Sequence, residues 1–290
     1  MSLDTIMKKK NMFLLLFISV FVSCGQIQIN EKSYIGKNDR LSYSETLSEE
    51  IQIDEDCING PAYESSNFIS DAEKIMIEMS GVTISTNEVN EFGDEANKAI
   101  KEEGKFKFIE NGDMYGDLQV LLNELITKAK INSGINYQIH LLDDEMVNAF
   151  TVGGHIYVTT GIISFAKSRS AIAFVIGHEI GHNENGDLEM LMKKLKIANS
   201  FLDGSGDIGV ALQQIITPFY NQINEIEADR FGVNVCYQSG YDPGKGVELW
   251  KKMSKKENSK NILESFSRSH PYSLDRMNCL DSYIENNFNL

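Results

Sequence analysis

The chain has 290 residues, 42% of them hydrophobic and 24% charged, a composition that supports a globular protein with a sizeable core. Its formal net charge of −15 argues against nucleic-acid binding and against electrostatic docking to anionic lipid, both of which depend on basic surfaces. The sequence shows no internal repeat, so we expect one good-sized domain with appendages.

The N-terminus carries the pattern of an export signal. Lys8 to Lys10 precede an apolar run at residues 12–22, shorter than the about 20 residues that span a bilayer. Ser23 and Cys24 follow, and a cysteine after a small residue at this point is typical of a bacterial lipoprotein. We therefore predict that residues 1–23 are a signal peptide and that Cys24 is lipidated; an ordinary cleaved signal is the alternative. The protein would then lie in the cell envelope, facing the periplasm and held to the membrane through the lipid anchor only.

Residues 24–65 are polar and lack sustained periodicity, which predicts a tether, and residues 66–290 are predicted to form the folded domain. The other cysteines are Cys57, Cys236 and Cys279, an odd number for an oxidising compartment. One disulfide and one free thiol are the simplest outcome, and the pairing is open. Cys236 with Cys279 is favoured because both lie in the C-terminal helical part.

Apolar residues recur at helical spacing through most of the chain. Helices are predicted at residues 66–80, 92–101, 117–131, 162–167, 170–182, 188–201, 208–220, from 224 towards Gly240, at 247–254 and at the C-terminus. Strands are predicted at 137–142 and, where β-branched residues alternate, at 156–160. Gly153 and Gly154 allow a bend or a close backbone approach ahead of the second strand.

The stretch from Ser170 to His182 is apolar nearly all round, which predicts a buried helix. His178 and His182 stand four residues apart, so both imidazoles project from one face, one turn apart. This spacing suits two neutral imidazoles that hold one Zn²⁺, with Glu179 beside them to take a proton from water. Burying these side chains costs free energy unless a metal and hydrogen bonds compensate. A chance match on a solvated helix is the alternative, and the apolar flanks disfavour it.

A zinc site needs a third protein ligand. None of the remaining histidines follows His182 at a short distance, so a carboxylate is the better candidate. Glu225 and Asp229 stand four residues apart on one predicted helix face. Glu225 can ligate the metal while Asp229 accepts the spare N–H of a ligand histidine. Alone, this pair would be read as a solvated acidic face; downstream of the two histidines, the metal interpretation is preferred.

Four motifs, in this order, resemble the zinc metallopeptidases of the HtpX and CaaX-prenyl-protease type. They are Asn148-Ala149-Phe150 ahead of Gly153-Gly154, the segment His178–His182, the segment Glu225–Asp229, and Ser269-His270-Pro271 with Arg276. The resemblance covers roughly residues 110–285. It implies an α+β fold, a mainly helical zincin-like metallopeptidase domain with a small β-sheet whose edge strand faces the active-site cleft.

The resemblance also implies roles for individual residues. His178, His182 and Glu225 would bind one Zn²⁺, with Glu179 as general base and Asp229 behind a ligand. The strand from Gly153 to Thr159 would pair with an extended substrate backbone, and its substrate-binding residues would be Gly153, Gly154, His155, Ile156 and Tyr157. His270 and Arg276 would be catalytic, as groups that stabilise the tetrahedral oxyanion.

The predicted function is that of a zinc-dependent metalloendopeptidase that hydrolyses exported or misfolded envelope proteins, with water activated by zinc and Glu179. The expected partners are protein or peptide substrates. The alternative is a lipid-anchored, zinc-stabilised chaperone or scaffold with little or no proteolysis, and Glu179 disfavours it because a scaffold does not need that carboxylate. A non-peptidase zinc hydrolase is a third possibility.

Overall fold

The computed structural model describes residues 33–41, 74–201, 222–255, 270 and 274–288. The predicted signal peptide, Cys24, Cys57, most of the predicted tether and the predicted helix at 208–220 lie outside these residues. The described residues all belong to the compact unit Ser33–Leu290.

The helices carry most of the described chain. They are α1 (Thr86–Glu103), α2 (Asp113–Lys128), α3 (Thr160–Ala166), α4 (Arg169–Glu184), α5 (Asp187–Phe201), α6 (Gln222–Gln238), α7 (Gly244–Lys255) and α8 (Leu274–Asn287), with a further helical stretch at residues 74–80. Ser168 caps α4 by accepting a hydrogen bond from the Ala171 N–H. Among the described residues, no helix is both long enough and apolar enough to span a bilayer.

The sheet is small and mixed. Its strands are β1 (Phe108–Ile109), β2 (Gln138–Leu142), β3 (Ala149–Val152) and β4 (His155–Thr159), in the spatial order β1-β2-β4-β3. β2 and β4 run parallel, and the outer pairs are antiparallel. Helices with one small mixed sheet form the predicted α+β fold, which is confirmed.

The two faces of the sheet have different neighbours. Ile139, Leu141, Ile156 and Val158 join the main core together with α4. The alternate residues of the same strands, among them Tyr157, lie on the other face, where the Tyr157 hydroxyl donates to Asn97 of α1. The sheet therefore separates α1 from the buried helix α4.

The strand that was predicted to pair with substrate, β4, is an interior strand of the sheet and not an edge strand. β4 is hydrogen-bonded to β2 on one side and to β3 on the other, so His155, Ile156 and Tyr157 have no open edge for a peptide. Gly153 and Gly154 form the two-residue turn between β3 and β4, with φ of +54° and +86°. Among the described strands, the edge of the sheet at this end is β3.

The two helices that carry the candidate ligands touch through their smallest residues. A Cβ added at Gly177 of α4 would lie 3.1 Å from Gly232 Cα of α6, and one at Gly181 would lie 3.0 Å from Ala228 Cα. Because nothing larger separates the backbones, side chains from both helices can reach one point.

Two regions differ from the sequence predictions. Residues 33–41 fall in the predicted tether, yet Ile35 is fully buried in the main core and Leu41 packs against it. The favoured disulfide is absent, because Cys236 and Cys279 are buried thiols that are not bonded to each other. Both lie on helices whose apolar faces they help to fill, and this packing explains their burial without a cross-link.

Candidate metal centre

Four buried side chains converge on one point between α4 and α6. One ligand atom each from His178, His182, Glu225 and His270 lies within 4.8 Å of all the others, and we call these residues the metal cluster. α4 supplies the two histidines, one helical turn apart, and α6 supplies Glu225 from its first turn. The sequence predicted the first three residues as ligands, and the structure brings them together.

The spacing within the cluster fits a zinc-sized ion. Zn–N bonds of about 2.0–2.1 Å put the donors of a tetrahedral site about 3.3 Å apart. The Nε2 atoms of His178 and His182 are 3.0 Å apart. The Glu225 carboxylate lies 3.6 Å from the first and 3.5 Å from the second.

The protonation of these rings also fits a cation. His178 Nδ1 lies 2.9 Å from Asp229 Oδ1, and His182 Nδ1 lies 2.7 Å from Asp187 Oδ2. The Asp187 contact is a hydrogen bond, whereas the Asp229 contact is close but not aligned as one. A carboxylate at Nδ1 favours the ring proton there, which would leave a lone pair on each Nε2. Two lone pairs that face each other repel, and a metal ion between them removes the repulsion. The donor set therefore suits the metal that the sequence predicts.

Asp187 is a site residue that the sequence analysis missed. It begins α5, immediately after the turn that follows α4, and its second carboxylate oxygen accepts a hydrogen bond from Asn224. Burial raises the pKa of Asp187 to about 7, and the Asn224 hydrogen bond opposes that rise. The sequence signal was an acidic residue five positions after His182, a spacing that a continuous helix would not have placed behind the imidazole.

Arg276 lies between two carboxylates of the site, Glu225 and Asp229. Its Nη1 lies 2.6 Å from Glu225 Oε2, and its Nη2 donates to Asp229 Oδ1 at 2.8 Å. The Trp250 indole also donates to Asp229 Oδ1 at 3.3 Å. The guanidinium thus bridges the candidate ligand and the carboxylate behind His178. This geometry supports a positioning role for Arg276 rather than the predicted contact with a substrate oxyanion.

The charges in the site follow from burial and from Arg276. Burial lowers the pKa of His178, and it lowers that of His182 to about 3, so both rings are neutral near pH 7 and can donate lone pairs. Burial opposes ionisation of Glu225, but the Arg276 guanidinium and the His270 ring outweigh it and hold the pKa of Glu225 below its ordinary range. Neutral imidazoles and an ionised carboxylate are the forms that bind zinc.

Glu179 lies beside the cluster, with its Oε1 3.3 Å from His270 Nε2, a contact that is not an aligned hydrogen bond. It is fully buried, and neither oxygen has a hydrogen-bond partner among the described residues. Burial raises the pKa of Glu179, and the neighbouring rings of His270 and His178 oppose the rise. A buried carboxylate without hydrogen bonds is costly, so its presence calls for a partner such as water or substrate.

His270 lies at the centre of the site rather than on a surface loop. Its Nδ1 is 3.2 Å from both Glu225 oxygens, and its Nε2 is 3.3 Å from Glu179 Oε1 and 3.2 Å from the Ala149 carbonyl oxygen of β3. Burial lowers the pKa of His270, but Glu225 and Glu179 outweigh it and raise the pKa to about 9. The ring is thus placed to act as a donor or, once neutral, as a fourth metal ligand.

The edge strand β3 lies against the site. Thr159 donates its N–H to the Asn148 carbonyl, so in this antiparallel pair the backbone groups of Ala149 and Thr151 are directed away from β4. The contact between the Ala149 carbonyl and His270 agrees with that direction. Asn183 of α4 fixes the strand through its amide, which donates to the Thr151 hydroxyl.

Comparison with known proteins identifies the relatives of this chain. Mitochondrial metalloendopeptidase OMA1 from Schizosaccharomyces pombe is 26% identical over 162 residues, which cover 52% of this chain and 48% of that protein. OMA1 from Arabidopsis thaliana is 28% identical over 153 residues, 48% of this chain and 30% of the relative. The Beta-barrel assembly-enhancing protease from Yersinia pestis is 27% identical over 147 residues, 43% and 30% respectively. The chain therefore spans about half or less of the length of these relatives.

The model of Peptidase family M48 matches residues 114–284, a segment that contains the sheet strands β2 to β4, the metal cluster and Arg276. Since the match covers more than half of the chain, the chain belongs to peptidase family M48.

Proposed function

We propose that this protein is a zinc-dependent metalloendopeptidase in which one Zn²⁺ is held by His178, His182 and Glu225. The observation that carries the proposal is the pair of imidazole Nε2 atoms that face each other at 3.0 Å, with the buried Glu179 carboxylate beside them. Membership of a peptidase family and relatives named as metalloendopeptidases support it.

The chemistry divides between the ion and the chain. A zinc ion in this position would supply Lewis-acid activation of water and of the scissile carbonyl. Glu179 accepts the proton that water loses and delivers it to the leaving amine nitrogen. Its raised pKa suits this exchange, because a carboxylate with a pKa nearer to neutrality both takes up and releases a proton readily. Asp187 and Asp229 hold the ring protons of His182 and His178 on Nδ1 throughout.

His270 is placed to assist at the scissile carbonyl. Its Nε2 lies between Glu179 and the Ala149 carbonyl, so an N–H there points into the space between the base and the edge strand. A donor at that position stabilises the negative charge that develops on the carbonyl oxygen.

Substrate recognition is assigned to β3. An extended peptide would add to its free edge and hydrogen-bond to the backbone of Ala149 and Thr151, which replaces the predicted pairing with β4. Backbone recognition of this kind depends little on the sequence of the peptide, which suits proteolysis of unfolded chains.

The proposed location is the cell envelope, and the proposed substrates are exported or misfolded envelope proteins. The N-terminal apolar run that ends in Cys24 supports export and lipid anchoring. One group of relatives is named for assisting β-barrel assembly, which is compatible with an envelope role for this chain.

The test is peptide hydrolysis by the purified, zinc-loaded protein and by Glu179→Gln. We expect one zinc per chain, loss of caseinolytic activity with a chelator, and a loss of about 10²–10⁴-fold in kcat for the variant with its zinc retained. Glu184→Gln is the matched control on the same helix, since Glu184 accepts hydrogen bonds from Ser133 and Tyr137 away from the cluster. Full activity of Glu179→Gln with zinc bound would overturn the mechanism, and relief of an envelope-stress phenotype by that variant would favour the scaffold function.

A further inference from the structure

Residues 33–41 form a strap across the beginning of α4. The Lys37 N–H donates to the Lys167 carbonyl at 3.0 Å, and the Arg169 N–H donates to the Lys37 carbonyl at 2.8 Å. Lys37 thereby makes a parallel β-bridge with Ser168, the N-cap of α4. Further along, the Leu41 N–H donates to the Gly240 carbonyl at 2.9 Å. The strap is bound by its backbone on both sides of the helix start.

Asp39 adds a second cap to the same helix. Its Oδ1 accepts the Ser170 N–H at 2.9 Å, and its Oδ2 accepts the Ser168 hydroxyl. The first N–H groups of a helix lack partners within the helix, and they favour a negative charge beside them. α4 is therefore capped both by its own Ser168 and by a carboxylate more than a hundred positions away.

Gly36 brings the strap close to the helix start. Its φ is +117°, and an added Cβ would lie 2.6 Å from Ser168 N and 2.8 Å from Lys167 C. Both atoms are backbone and cannot rotate aside. The strap can occupy this groove only with glycine at this position.

Partly buried charges connect the strap to two other elements. Arg40 donates to Glu124 of α2 at 2.6–2.7 Å and to the Tyr241 hydroxyl at 2.6 Å. Arg169, the first residue of α4, pairs with Asp117 of α2 and contacts the same tyrosine hydroxyl at 3.2 Å. The strap thus completes a network that holds α2, α4 and the turn after α6 together.

The helix that the strap holds is the one that carries the chemistry. α4 is continuous from Arg169 to Glu184, so His178 lies about 12 Å along the axis from Ser170 at a rise of about 1.5 Å per residue. A helix transmits a shift or tilt of its first turn to later turns. A change at the capped end therefore alters the approach of His178 and His182 to Glu225.

We propose that the strap is a positioning element of the metal centre, in which Gly36 and Asp39 fix α4 so that its ligands and Glu179 meet the donor from α6. For its activity readout this inference rests on the proposed peptidase function; for its zinc readout it does not. The strap acts through α4 and contributes no atom to the metal cluster.

The first experiment compares Gly36→Ala with Gly104→Ala in the full-length protein. Gly104 also has a positive φ, +67°, but an added Cβ there meets nothing within 4 Å, so the control carries backbone strain without displacing the strap. For Gly36→Ala we expect kcat to fall about tenfold with KM changed by less than about twofold, because small misplacements of reacting groups are costly. Zinc transfer to a chelator should become about tenfold faster, as expected when a ligand set is less well held. Gly104→Ala should match the wild type in kcat, in KM and in the rate of zinc transfer.

The second experiment compares two substitutions of Asp39, one that removes the hydrogen-bond acceptor at the start of α4 and one that keeps it. Asp39→Ala removes the acceptor for the Ser170 N–H and should lower kcat about fivefold, whereas Asp39→Asn keeps an acceptor oxygen and should restore kcat to within about twofold of the wild type. Ser85→Ala is the matched control, since it removes the cap of α1, a helix outside the metal cluster.

The outcomes distinguish a strap that positions the metal ligands from a strap that only stabilises the domain. If Gly36→Ala and Asp39→Ala melt at lower temperature but keep wild-type kcat and zinc transfer at 25 °C, the strap only stabilises the domain and the proposal fails. If the wild type itself shows no peptidase activity, the proposed function fails, and the zinc-transfer rates still decide whether the strap positions the ligands.

Discussion

Two groups of histidines in this domain show how the same side chain serves different ends. In the metal cluster, the Nε2 atoms of His178 and His182 face each other, and each ring has a carboxylate behind it. On the sheet, His140 Nε2 lies 2.9 Å from His155 Nδ1, and His155 Nε2 lies 3.0 Å from Asp94; we call His140 and His155 the sheet pair. Both groups contain rings at hydrogen-bond distance, fully buried in the metal cluster and half-buried at His140 of the sheet pair.

The difference is where the protons can go. In the sheet pair each contact can join one donor to one acceptor, in a line from Asp94 through His155 to His140, so no cation is required. In the metal cluster the carboxylates take both ring protons and leave acceptors that converge. The spacing of the rings is similar in the two groups, so we expect the carboxylates behind the rings to decide which group can bind an ion.

The largest expected difference comes from removing one ring from each group. His182→Gln should lose bound zinc and more than about a thousandfold in kcat, since the mechanism depends on the metal. His155→Gln should keep one zinc per chain and activity within about threefold of the wild type, because each contact of the sheet pair can join a donor to an acceptor without an ion. Metal analysis and hydrolysis of unfolded casein check both. Loss of zinc from His155→Gln would show that the contrast between the groups is false.

The carboxylates behind the rings should matter next. Asp187→Asn leaves the shape unchanged but no longer holds the His182 proton on Nδ1, and we expect zinc affinity to fall about 10–100-fold. Asp229→Asn should act similarly on His178, with an added effect because Asp229 also pairs with Arg276. Competition with a fluorescent chelator measures the affinities. Unchanged affinity in Asp187→Asn would mean that the carboxylate does not fix the tautomer.

The sheet pair should affect the pH dependence of folding stability rather than metal binding. Burial lowers the pKa of His140 to about 4, below its ordinary value of about 6.5. The unfolded chain therefore binds the proton more readily between about pH 6.5 and pH 4, and the folded state loses stability as the pH falls through that window. The slope from one histidine is at most about 1.4 kcal/mol per pH unit.

His140→Gln removes the group that takes up this proton on unfolding. Between pH 7 and pH 4.5, its melting temperature should fall less than that of the wild type, because the other groups titrate identically in both proteins. Thermal unfolding at half-unit pH steps gives the comparison. Parallel curves for the two proteins would contradict a lowered pKa of His140 in the folded state.

The smallest effect is expected at the solvent end of the sheet pair. The Asp94 side chain is 65% exposed, so water and salt screen its contact with His155. Asp94→Asn should change stability by less than about 1 kcal/mol and leave zinc binding unaltered. A chemical-denaturation curve and a zinc titration suffice to check this, and a larger loss would assign the exposed carboxylate a role in holding the sheet.

Sequence reasoning succeeded where spacing along one element decides the geometry. His178, Glu179 and His182 share a helix, so their relative positions follow from 3.6 residues per turn. Glu225 and Asp229 follow from the same rule on α6. The helical periodicity likewise placed most of the helices within a few residues of their ends in the structure.

Sequence reasoning failed where contacts between distant segments decide the structure. The order β1-β2-β4-β3 depends on strand partners that the alternation of β4 alone does not specify, so an interior strand was taken for the substrate edge. Ile35 is one apolar residue in a polar stretch, and its burial depends on a groove formed by residues more than 80 positions away. Asp187 was missed because the turn after α4 redirects the chain.

Where α4 and α6 cross, the backbones leave little room for a side chain. Positions 177, 181 and 232 supply no ligand atom to the metal cluster, yet a Cβ added at any of them would lie about 3 Å from opposing backbone, so substitution there should push the two helices apart. The separation of the two helices would also limit the size of an ion held by the metal cluster. Calcium, with bonds of about 2.3–2.6 Å to more numerous oxygens, would need Glu225 farther from the imidazoles. A designer who wants a different metal here must first widen the crossing, and only then exchange the ligands.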